Sequence, residues 1–143
     1  MEGHPVVAEL SFPVLALSGP TIFVHAEPRD LETCGEVALT NGYFSRLRLI
    51  DSELCEYSVR DVVKVANVGL FGGWHPFYAS RQIRVRLALE RTRRLALDEV
   101  RESVIATMNA DRDFWESAGD LDEQAVEIRA IDSFDDLLRR FGQ

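Results

Sequence analysis

The rhythm of hydrophobic and polar residues changes once along this chain, close to Thr92. Before it, Ile83, Val85, Leu87 and Leu89 alternate with Arg84, Arg86 and Ala88, the period of two that specifies a strand with one buried face. After it, Leu97, Val100, Val104 and Met108 recur at helical spacing, with Leu95 and Ile105 beside them. A strand followed by a helix is therefore expected over residues 81–108.

The same alternation appears further upstream. Leu47 and Leu49 alternate with Arg46, Arg48 and Ile50; after Asp51-Ser52-Glu53, the residues Cys55, Tyr57 and Val59 alternate in turn, which predicts a β-hairpin. The β-branched run from Val62 to Val68 reads as a third strand of one meander. Two shorter strands are expected within Val14 to Leu17 and Ile22 to Val24, separated by a Ser18-Gly19-Pro20 turn. Glu27-Pro28-Arg29-Asp30 and Asn41-Gly42 read as further turns.

Helices are expected near 98–110, 121–130 and 133–141. Asp98, Glu99 and Glu102 lie in the first turns of the first helix, where the backbone dipole favours negative charge. Phe114 and Trp115 follow it and are expected to plug the space between helices and sheet. Asp120 with Glu123 resembles a capping box, and Ser133 is a good N-cap for the last helix. Phe134, Leu137, Leu138 and Phe141 then form that helix's apolar stripe. Strands first and helices afterwards predict an α+β fold, with an antiparallel sheet in the N-terminal two thirds covered by about three C-terminal helices. The expected domain is single, over residues 1–143, and a chain of this length buries roughly two thirds of its unfolded surface.

Composition adds an asymmetry of charge. Residues 1–40 carry one basic and six acidic side chains, residues 41–94 ten and five, and residues 95–143 five and thirteen, which sums to the net charge of -8. Overall acidity argues against non-specific nucleic-acid binding and favours a basic partner. No stretch reaches the ~18 consecutive apolar residues of a membrane span. Met1-Glu2-Gly3-His4 lacks the positive residues of a secretory leader, so a cytoplasmic location is expected. Cys34 and Cys55 stand outside any CxxC spacing and read as buried free thiols.

Chemical motifs are missing. No histidine has a second His, Cys or carboxylate at ligand spacing, and Ser18-Gly19-Pro20 lacks the nucleophile elbow. Gly69, Gly72 and Gly73 fit neither phosphate-loop spacing. An EF-hand counted from Asp111 puts Glu116 where glycine is required, so neither a metal nor a cofactor is expected.

Three expectations for function follow. The first is a non-catalytic protein-binding module whose acidic residues Glu116, Asp122, Glu123 and Glu127 steer a basic partner. In size and charge the chain is similar in character to the immunity and adaptor proteins of bacteria, a likeness that implies a held protein partner and carries over no residue. The second is an anion or RNA binder: if the strands of Arg46, Arg48, Arg84 and Arg86 are neighbours, with Leu47, Leu49, Ile83, Val85 and Leu87 facing the helices, four guanidinium groups form one patch. The third is an enzyme using the loop of Trp74, His75, Phe77 and Tyr78, whose bland counterpart is core filling or a homodimer contact.

Overall fold

The computed structural model describes residues 6–35, 42–67 and 82–142. Within them lie β1 (Val14–Ser18), β2 (Thr21–His25), the short helix α1 (Pro28–Leu31), β3 (Thr33–Gly35), β4 (Leu47–Ile50), β5 (Cys55–Asn67) and β6 (Gln82–Arg94). Four helices follow: α2 (Leu97–Asn109), α3 (Arg112–Glu116), α4 (Leu121–Arg129) and α5 (Phe134–Gly142). The strands form one six-stranded sheet in the order β2-β1-β4-β5-β6-β3, every pair antiparallel. The fold is α+β, with the sheet drawn from the N-terminal two thirds and the helices from the C-terminal third.

Local chemistry explains the turns. Between β4 and β5, the buried Asp51 carboxylate accepts hydrogen bonds from the backbone N–H groups of Glu53 (3.0 Å), Cys55 (3.1 Å) and Ser11 (3.2 Å). It thus fixes the hairpin and ties the N-terminal segment to it, while Leu54 adopts φ 63, a conformation that costs a non-glycine residue about 1 kcal/mol or more. The expected separate strand over Val62 to Val68 is, as far as Asn67, a continuation of β5, bent by register shifts near Arg60 and Val65 that keep it paired with β6. Glu27 to Asp30, expected as a turn, opens α1, where the Asp30 carboxylate accepts from the Glu27 N–H (3.3 Å).

Laid flat, a six-stranded sheet would hold its two edges about 24 Å apart, at five strand spacings of ~4.8 Å. Instead β2 and β3 are joined through α1, and Thr21 and Thr33 line one cavity. The sheet is therefore curled on itself, with its edges facing across an open seam. Inside the curl is one core, of Val14, Ala16, Leu49, Tyr57, Val85 and Leu87 with their neighbours, closed by Val7, Leu10 and Leu31. Outside it, Leu15, Leu17, Ile22 and Ile50 meet Val104, Met108, Ile128 and Leu137 of the helices in a second core.

This arrangement corrects one expectation. Leu47, Leu49, Ile83, Val85 and Leu87 face the inside of the curl, and the helices cover the opposite face, that of Ile50. Period two assigns residues to faces without saying which face the helices take. A second correction concerns the aromatic pair after α2. Trp115 does plug the layer, its indole N–H donating to the Pro20 carbonyl (3.0 Å), but Phe114 is 61% exposed.

Candidate functional site

Three helices make a groove with an aromatic floor and a carboxylate rim. Asp111 caps α3 by accepting from the Phe114 N–H (3.2 Å), which sets Trp115 one turn in. The Trp115 ring meets Phe141 of α5 edge-on, with centroids 6.0 Å apart, a favourable geometry for aromatic rings. Between α3 and α4 the chain turns at Gly119, whose φ of 142 suits glycine. The Gln124 amide holds that turn by donating to the carbonyls of Trp115 (3.1 Å) and Gly119 (3.0 Å). Asp120 caps α4 through the Glu123 N–H (3.0 Å).

The resulting groove has a volume of about 450 Å³, with Trp115 and Phe141 at its base and Asp120, Glu123, Glu127 and Arg140 around it. Arg140 pairs with Glu127 at 2.9 Å. Three carboxylates against one guanidinium leave the groove net negative. An aromatic surface beside carboxylates suits a cationic group, which the ring faces and the charges attract together.

The four acidic residues expected to act together divide into two pairs. Helical spacing puts Glu123 and Glu127 on the groove flank of α4. Asp122 instead shares a flank with Arg129, which pairs with Glu102 of α2 (2.9 Å). Glu116 and Asp122 both approach Arg112, at 3.0 Å and 3.8 Å. The aromatic members carry no sequence signal for a site: Trp115 and Phe141 have the spacing of core aromatics, and both do contact the core while also lining the groove.

Arg46, Arg48 and the pair Arg84 and Arg86 occupy three separate places. β5 lies between β4 and β6, so their strands are not neighbours. Arg46, in the turn before β4, lies over the β1–β2 turn, where a Cβ on Gly19 would be 3.6 Å from its guanidinium. Arg48 points into the helix side: its Nε donates to Glu56 Oε2 (2.8 Å) and its Nη2 to Ser103 Oγ (3.3 Å) of α2. Arg84 and Arg86 are exposed further along β6, opposite Ala66 and Val63 of β5. The single patch expected from adjacency is corrected to these separate positions.

Glu56 is the most elaborately held charge. Its carboxylate accepts from Arg48 and from Thr92 Oγ1 (2.9 Å), and Arg93 lies 3.5 Å away. Desolvation pushes its pKa up, but the hydrogen bonds from Arg48 and Thr92 and the charges of Arg48 and Arg93 outweigh it, so the carboxyl titrates below its ordinary value.

Trp74, His75, Phe77 and Tyr78 lie outside the described residues, as do Gly69, Gly72 and Gly73. Cys55 is buried with a free thiol, and the Cys34 side chain is outside the described part. Among the described residues, no helix is long and apolar enough to cross a membrane, and no three His, Cys, Asp or Glu side chains gather as a metal site would need. No family model, curated protein or solved structure matches the chain.

Proposed function

We propose that the protein is a non-catalytic, cytoplasmic binding module that holds a basic protein partner, with the groove between α3, α4 and α5 receiving a lysine or arginine side chain. The observation that carries this reading is the groove itself, where an aromatic floor and a net negative rim coincide. Exposed Phe114, in edge-on contact with Trp115 at 5.2 Å, adds an aromatic contact anchor beside it. The thirteen carboxylates among residues 95–143, against five basic residues, supply the longer-range field that would speed association. Glu116 and Asp122 belong to that field rather than to the groove, since Arg112 lies against both.

The test uses Glu123→Lys/Glu127→Lys. Its cost in stability is small, because an exposed ion pair such as Glu127–Arg140 contributes about 0–1 kcal/mol. A partner recovered from the native host with the parent chain should associate roughly tenfold or more slowly with the variant at low salt, the two rates converging at high salt. Association unchanged at both salts sinks the proposal.

A further inference from the structure

The seam between β2 and β3 opens into a second cavity, which belongs to the sheet rather than to the helices. Its volume is about 400 Å³, within the range of small-molecule sites. Its walls carry two aromatic pairs. On β2, Phe23 and His25 have ring centroids 6.4 Å apart; before β4, Tyr43 and Phe44 meet edge-on at 5.1 Å. Leu31 of α1 adds apolar surface and Asp30 contributes a carboxylate.

Charge selects among ligands. Asp30 is the one acidic or basic side chain among the described lining residues besides His25, and burial lowers the His25 pKa more than the charge of Asp30 raises it, which favours the neutral imidazole. Among the described residues, no Lys or Arg forms an ion pair with Asp30, whose carboxylate accepts from the Glu27 N–H at 3.3 Å. Among the described residues, the wall thus presents one negative charge without a cationic partner beside aromatic faces. An anion is repelled there, and a bare metal ion finds too few ligands among the described residues.

We infer that this seam cavity binds a small organic cation with an aromatic or apolar body, its ammonium group on Asp30 and its body against the exposed Phe23 ring. The binding is independent of the helical groove. Phenethylamine is a suitable probe, with 3-phenylpropionate as its anionic counterpart of similar size, each titrated into the full chain while NMR follows the His25 ring and the Thr21 and Thr33 amides. Phenethylamine should move these signals saturably and 3-phenylpropionate should not. Asp30→Asn keeps an acceptor for the Glu27 N–H but loses the charge, so it should weaken phenethylamine binding about tenfold, the scale of one charged hydrogen bond. Equal binding of both probes, no saturable shift at these residues in the parent, or a folded Asp30→Asn that binds as tightly as the parent each overturns the inference.

Discussion

Glu56 and Arg48 sit at positions that strand alternation assigns to the face away from Leu49 and Tyr57, and the structure agrees. What alternation could not indicate is that α2 lies over that face, so that Glu56 is buried beside Ser103 and Arg48. A buried carboxylate is tolerable only when paired, and here both oxygens are engaged. Because its pKa is lower in the folded protein than in the unfolded chain, its contribution is fully present above the ordinary carboxylate pKa and is lost as pH falls through the folded value. Glu56→Gln should therefore destabilise the protein by about 1–3 kcal/mol at pH 7 in urea unfolding. The gap between parent and variant should narrow as the pH is lowered below the ordinary carboxylate range. A gap that stays constant with pH would mean that the charge of Glu56 contributes nothing.

Among the elements, the helices were the most legible. Ser133 accepts from the Asp136 N–H (3.1 Å) as its position at the start of α5 predicts, and Phe134, Leu137 and Leu138 are buried as their spacing predicts. The strands were legible as strands but not as a layer, since Leu49 and Ile50 belong to different cores and only tertiary packing decides which is which. The groove was legible least. Its floor joins Trp115 to Phe141 across two turns and a helix, and neither residue differs locally from a core aromatic. One contact at the end of α5 had no signal at all: a Cβ on Gly142 would lie 2.7 Å from Val24 Cβ of β2. Alanine in place of glycine gains up to ~1 kcal/mol within a helix and less at a fraying end. Overpacking costs about 1–3 kcal/mol, so the clash wins and Gly142→Ala should lower stability. Adding Val24→Gly, which removes that Cβ and both methyls, to that variant should recover part of the loss relative to the two single changes, a coupling that a double-mutant cycle measures. Purely additive effects would mean that the two residues do not touch.

At the scale of the whole molecule, charge and topology are arranged together. The basic stretch forms β4 to β6; within it Arg48 and Arg93 reach Glu56 of β5, and it meets the helical layer where Arg48 donates to Ser103 and where Arg93 approaches Glu99 at 3.9 Å. That meeting line accounts for part of the arginine surplus without any external anion. The continuous apolar run Val14 to Leu17 carried more information than its reading as a short strand used. A strand apolar at every position has both faces covered, and all five residues of β1 are buried. Leu15 and Leu17 enter the outer core while Val14 and Ala16 enter the inner one, and β2 and β4 occupy the strand's two edges. Neither core can open without exposing this shared wall to water, so the molecule has no means of melting one half at a time. In deuterium oxide, the β1 amides should then be among the slowest to exchange, at the free energy that urea unfolding gives for the entire chain. Helical amides that outlast those of β1 would reveal two separately melting halves; amides of Leu15 and Leu137 that exchange together would mark a single cooperative unit held by one strand.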